Sequence, residues 1–138
     1  MTLWLLDASV LLATEDSDDD HHGDAVWLLG AEDPLATLDL AFYEVTNVAV
    51  RAWGDPVAAT RLCDRVVALA DDGGLVRADA PLLADAAALA TEHGISAYDA
   101  GYVAAARRAG ARLVSCDLRD LVPRGLAVLP SQARAGRA

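Results

Sequence analysis

A chain of 138 residues with 54% hydrophobic side chains carries enough apolar material for one enclosed core, which excludes a disordered chain, and is short for two independent cores. Its net charge of −10 argues against broad nonspecific nucleic-acid binding, although a floor of carboxylates can recruit cations, so charge alone leaves RNA open. Every basic residue is Arg; without Lys, Schiff-base chemistry and Lys-dependent phosphate loops are excluded.

In chain order, residues 2–6 read as a buried strand whose exit, Asp7 to Ser9, leads into a helix carrying Val10, Leu11 and Leu12. The polar run Glu15 to Gly23 reads as a loop, with His21 and His22 as adjacent surface histidines, and a short helix fits Asp24 to Leu29. Pro34 marks a break before a second strand at Leu35–Leu38. Asp39 is placed to cap a helix whose apolar face is Phe42, Val45, Val48 and Ala49 and which ends near Trp53 and Gly54.

Residues 55–71 form the next predicted helix, followed by a turn at Asp71 to Gly74 and a short strand at Leu75 to Arg77. Two helices, 82–93 and 97–109, are separated by Gly94 and Ile95, with Ser96 as the second cap. Gly110 releases the chain into a strand at Arg112–Ser115 that exits at Asp117. A last strand, Ala127–Leu129, closes a domain over residues 1–130, and residues 131–138 are expected to fray.

Strands alternating with helices predict an α/β three-layer sandwich with a mainly parallel sheet of about four to five strands, helices on both faces, and ligands gathered at the carboxyl ends of the strands. The apolar stretches are broken by Asp7, Glu44 or Gly110 before they reach membrane-spanning length. The opening segment lacks the basic lead of a secretory signal, so a cytoplasmic protein without a membrane partner is expected. Cys63 and Cys116 are expected to stay reduced.

Four separated acids stand at strand or helix ends. Asp7 follows the first strand and is either a site carboxylate or a helix cap, with Ser9 placed to hold it or to contact phosphate. Glu44 interrupts the apolar segment AFYEVTNVAV, where a carboxylate is costly unless paired, hydrated or metal-bound; alternatively it shares a solvated stripe with Asn47 and Arg51. Asp99 follows Ser96 by three residues, a capping-box spacing that competes with a ligand role.

Asp117, directly after a strand pattern, is preferred over Asp120 as the last site acid, leaving Asp120 auxiliary and Ser115 in support. Cys116 reads as a small buried side chain rather than a nucleophile, and Tyr98, Tyr102 and Val103 as packing or groove residues. Carboxylates in this number point to one or two Mg²⁺ or Mn²⁺ ions that activate a water against a phosphodiester.

The segments LLDASVLL, EVTN, SAYDAGYVAAARRAGARLVSCD and the closing short strand together resemble a PIN domain, and the compact length is similar to the VapC ribonuclease toxins of type II toxin–antitoxin pairs. The resemblance covers almost the whole chain. It implies that Asp7, Glu44, Asp99 and Asp117 form the metal-site set, with Asn47, Ser9 and Ser115 in supporting positions; Ser115 stands where many relatives carry Thr. It further implies a metal-dependent endoribonuclease, possible action on tRNA, a homodimer, and a VapB-like antitoxin that lays a segment near the groove and inserts a basic residue among the acids. Apolar helices at residues 40–53 and 56–70 fit such docking surfaces, and packing on the core gives the same pattern. A PIN nuclease of RNA processing or repair outside any toxin pair, and a noncatalytic binding protein, are the alternative expectations.

Overall fold

The computed structural model describes residues 1–136. The elements run β1 (Trp4–Leu6), α1 (Ala8–Glu15), α2 (His22–Gly30), β2 (Leu35–Leu38), α3 (Leu40–Arg51), α4 (Pro56–Asp71), β3 (Leu75–Val76), α5 (Ala80–His93), α6 (Ala97–Ala109), β4 (Arg112–Val114) and α7 (Pro130–Ala135). The four strands lie in the order β3-β2-β1-β4, every neighbouring pair parallel. Helices flank the sheet on both faces, the predicted α/β/α arrangement: α6 packs along β1, β2 and β4 with α5 behind it, while α1 and α4 cover β1, β2 and β3.

Parallel strands covered on both faces need continuous apolar runs, and β1 supplies one: Trp4, Leu5 and Leu6 are all buried. Leu11 from α1, Leu38 from β2, Leu62 from α4 and Val114 from β4 join them in one core. Each such leucine contributes about 1.5–3 kcal/mol by leaving water. The strand order places β1 centrally. The chain steps from β1 outward to β2 and β3, then returns to the other side of β1 as β4, so the order reverses between β1 and β4. That reversal opens a crevice beyond their carboxyl ends.

Several helix ends are set by short-range chemistry. Asp55 and Asp79 cap α4 and α5, accepting from Ala58 N at 3.0 Å and Leu82 N at 2.9 Å. The predicted start at residue 82 falls two residues late: α5 opens at Ala80 and takes Pro81 into its first turn, where its missing N–H has no intrahelical partner. Gly94 and Gly110 end α5 and α6 in the left-handed conformation, φ 65° and 67°.

Three expectations are corrected by tertiary structure. Asp39 does not cap α3 with its side chain: its backbone is already helical (φ −60°, ψ −21°), and the carboxylate instead accepts from Ala78 N, fastening the exit of β3. Ala127–Leu129 is not a full strand; Val128 makes a single parallel bridge to Val114 at the edge of β4. The tail expected to fray forms α7 over Pro130–Ala135. Pro130 and Ala133 are buried, Gln132 Oε1 accepts from Leu129 N at 2.8 Å, and Arg134 lies over the Trp27 ring of α2 and reaches Asp24 at 3.2 Å. Residues 137 and 138 of that expected tail lie outside the described residues.

The polar loop is also shorter than its composition implies. His22 opens α2, and its Nδ1 donates to Ala13 O at 2.7 Å, so it fastens α2 to α1 instead of standing free. Glu15, at the end of α1, pairs with Arg61 and with Arg65 at 3.0 Å on α4. No helix among the described residues is long and apolar enough to cross a membrane, and both cysteines are free thiols.

Candidate functional site

The crevice between β1 and β4 is lined by the residues that directly follow these strands. Leu6 pairs in register with Val114, so Asp7 and Ser115 leave the sheet side by side, and Asp7 N donates to Val114 O at 3.2 Å. Asp7 is 6% exposed and caps α1: its Oδ1 accepts from the Ser9 hydroxyl at 2.5 Å and from Val10 N at 3.3 Å. The helix N-terminus favours a carboxylate there. Burial nevertheless dominates and pushes the Asp7 pKa from 3.8 up to about 6, with hydrogen bonds from Ser115, Ser9 and Val10 pulling down and the charge of Glu44 pushing up.

Ser9 and Ser115 stitch the two strand exits together. Ser9 Oγ also accepts from Cys116 N at 2.9 Å and lies 3.5 Å from Ser115 Oγ; Ser115, fully buried, accepts from Asp117 N at 3.0 Å. Both predicted hydroxyl supports therefore touch the site. Cys116 is half-buried, and its thiol is pushed up to about 12, chiefly by burial and further by Asp7 and Asp19. A thiol held protonated in this way is no nucleophile.

Asp117 folds the following segment back on itself. Its Oδ1 accepts from Arg119 N at 2.8 Å and Asp120 N at 3.0 Å, an Asx-type turn. The turn returns Asp120 to the crevice. Carboxylate oxygens of Asp99, Asp117 and Asp120 then lie within 4.8 Å of one another. Sequence reasoning set Asp117 and Asp120 against each other for one position; the turn gives both a place, and only the i, i+3 spacing of the two acids could have signalled it.

Asp99 arrives from the first turn of α6. Ser96 caps that helix by accepting from Asp99 N at 3.0 Å, so the capping bond uses the backbone of Asp99 and its carboxylate meets the other acids. The Asp99 pKa is raised, first by burial and then by Asp117, Asp120 and Glu44. Glu44 comes from α3, half-buried, and accepts a 2.7 Å hydrogen bond from the hydroxyl of Tyr102 on α6. Glu44 is near enough to raise both Asp7 and Asp99 by its charge, while the carboxylates that converge among the described residues are those of Asp99, Asp117 and Asp120.

Asn47 stands one helical turn after Glu44 on α3. It is exposed and lines a groove of about 450 Å³ with Phe42, Tyr43, Val50, Arg51 and Cys63. Two arginines of the C-terminal third are engaged away from these acids: Arg108 forms a two-pronged pair with Asp79 at 2.9 and 3.0 Å, and Arg112 lies over the Trp4 ring. Arg124 remains at the site, reaching Asp120 Oδ1 at 3.4 Å and Asp120 O at 2.9 Å.

An all-carboxylate oxygen set of this span suits a hard divalent cation such as Mg²⁺ or Mn²⁺. Repulsion among these acids adds to burial in raising Asp99, and a bound cation would relieve that repulsion.

The chain is similar to known proteins in sequence and in fold. Ribonuclease VapC3 of Pyrobaculum aerophilum is 36% identical over 89 residues, 60% of this chain and 66% of that protein, so the match spans just under two thirds of the relative. A crystal structure of PAE2754 from the same organism superposes with a TM-score of 0.70 at 26% identity, over 99% of this chain and 91% of the other. A toxin–antitoxin complex from Klebsiella pneumoniae shares the fold at a TM-score of 0.68 and 17% identity, over 91% of this chain and 96% of the other. The model of the PIN domain matches residues 4–122, which include every acid of the crevice, and the chain belongs to the PIN-domain family.

Proposed function

We propose that this PIN-domain chain is a Mg²⁺- or Mn²⁺-dependent endoribonuclease that acts as the toxin of a toxin–antitoxin pair. The observation that carries the reading is the meeting of Asp99, Asp117 and Asp120 within 4.8 Å at the sheet's reversal point, with Glu44 near enough to act by its charge on Asp99 and on Asp7. When bound, a divalent ion supplies Lewis acidity toward phosphate and lowers the pKa of a water.

The protein's part is positional. Asp99, Asp117 and Asp120 offer oxygens from one side, and Asp7 and Glu44 complete the wall. Ser9 and Ser115 hold the Asp7 carboxylate in a fixed orientation, so little rearrangement accompanies the reaction. Arg124, already at Asp120, stands where it can meet an RNA phosphate and offset the charge of the acids. Single-stranded RNA, including the loops of a tRNA, is the substrate class.

The groove between α3 and α4 is the proposed antitoxin surface. Tyr43 is 81% exposed and Val50 is open in the same groove, with Phe42 adding to the apolar lining that an amphipathic helix seeks. A basic antitoxin residue entering the acid cluster would compete with the cation. The same helices are available to a homodimer.

The test is cleavage of a mixed cellular RNA pool by purified protein free of antitoxin, with Mg²⁺ or Mn²⁺, with fragment ends mapped. Discrete metal-dependent cuts, lost in Asp7→Asn and Asp99→Asn, are expected. Absence of cuts with either metal, from folded protein, would turn the reading toward a binding protein.

A further inference from the structure

We infer that Tyr102 is a positioning residue of the site: its buried hydroxyl holds one oxygen of Glu44 and thereby fixes the α3 carboxylate against the acids carried by α6 and β4. The inference rests on the metal-dependent reading above and adds to it a residue that is not an acid.

Tyr102 is 2% exposed, so its hydroxyl has no access to bulk water and needs a partner within the protein. The partner is Glu44 Oε1 at 2.7 Å, from a helix 58 residues earlier in the chain. A phenylalanine would fill the same space without a buried polar atom to satisfy. One side chain therefore joins two elements: α6, which carries it, and α3, through Glu44.

Its place on α6 matters as well. Asp99 and Tyr102 stand three residues apart and share a face of the helix. The hydroxyl therefore draws Glu44 toward the face that presents Asp99. A phenol is protonated at neutral pH, and at 2.7 Å from a carboxylate oxygen it is the donor toward Glu44. A hydrogen bond from the phenol occupies one carboxylate oxygen of Glu44 and leaves the other for a cation, the arrangement by which an outer partner orients a ligand.

The test is Mn²⁺ binding by titration calorimetry on four proteins: the wild type, Tyr102→Phe, Glu44→Gln and the double variant. Tyr102→Phe is expected to weaken Mn²⁺ binding by roughly 10-fold or more, with an unchanged circular dichroism spectrum, and to cost nothing further in the Glu44→Gln background, because the hydroxyl acts through Glu44. Wild-type affinity in Tyr102→Phe, or an equal loss in both backgrounds, overturns the inference while leaving the metal reading standing. Failure of the wild type to bind Mn²⁺ overturns both. Should Tyr102→Phe not fold, Glu44→Asp carries the same test, since it keeps the charge but retracts the carboxylate from the phenol: a comparable loss is expected, and full affinity refutes the inference.

Discussion

Replacing Asp7 by Asn should make the metal-free protein more stable. The Asp7 carboxyl binds its proton more tightly in the folded chain, at about 6, than in the unfolded chain, near 3.8. The folded state is therefore favoured by this group at low pH, and that advantage is lost as pH rises from about 4 to about 6. The interval corresponds to about 3 kcal/mol once Asp7 is fully ionised. Asn keeps an oxygen for Ser9 and Val10 N, so the cap survives while the buried charge goes. The assay is urea unfolding in the presence of a chelator at pH 4 and pH 7. The variant should match the wild type at pH 4 and exceed it at pH 7 by up to about 3 kcal/mol, an increase of roughly 10 °C in Tm for a domain of this size. Saturating Mn²⁺ should narrow the gap by stabilising the wild type more than the variant. A difference independent of pH, or a less stable variant at pH 7, would refute the argument that burial of an ionised Asp7 costs stability.

Further outcomes follow from neighbouring contacts. Ser9→Ala removes a hydrogen bond that favours the ionised form of Asp7, so the Asp7 pKa, read by carboxyl NMR, should rise beyond about 6; an unchanged or lower value would contradict this. Cys116, with its thiol pushed up to about 12, should resist iodoacetamide at pH 8 in the folded protein and react once it is unfolded, as mass spectrometry of the labelled peptide would show. A Cβ at Gly74 would lie 2.2 Å from Leu35 O, a backbone atom that also borders the sheet. Gly74→Ala should therefore cost about 1–3 kcal/mol or more in urea unfolding, and a neutral result would mean that β2 and β3 can separate at no cost. Arg124→Ala should lower cleavage of RNA while leaving Mn²⁺ affinity unchanged or higher, because the guanidinium opposes cation binding at Asp120; a loss of Mn²⁺ affinity would speak against that role.

The sequence alone determined what short-range chemistry determines. The apolar run ending at Asp7 and the run RLV before Ser115 carry strand periodicity in themselves, and the sheet they form is parallel because helical segments of sufficient length separate them. Ser96 and Asp99 announce a helix start by their spacing, and that start is where Asp99 stands. The segments around these acids were also the ones that resembled a PIN domain, so the family was legible before any coordinate.

Tertiary structure decided which groups meet. Asp39 has the spacing of a cap, yet β3 offers it the N–H of Ala78; the capping rule describes an isolated helix, and a neighbouring strand changes the competition. The C-terminal segment is rich in Arg, Ala and Gly, a composition that frays by itself; Trp27 and Asp24 on α2 give α7 the partners its own propensity lacks. Asp120 joins the cluster because one turn closes on Asp117, and Tyr102 meets Glu44 across 58 residues of chain. Such pairings depend on how helices pack on a sheet, which periodicity and spacing do not encode, so the acids could be found in the sequence while the hydroxyl that orients one of them could not.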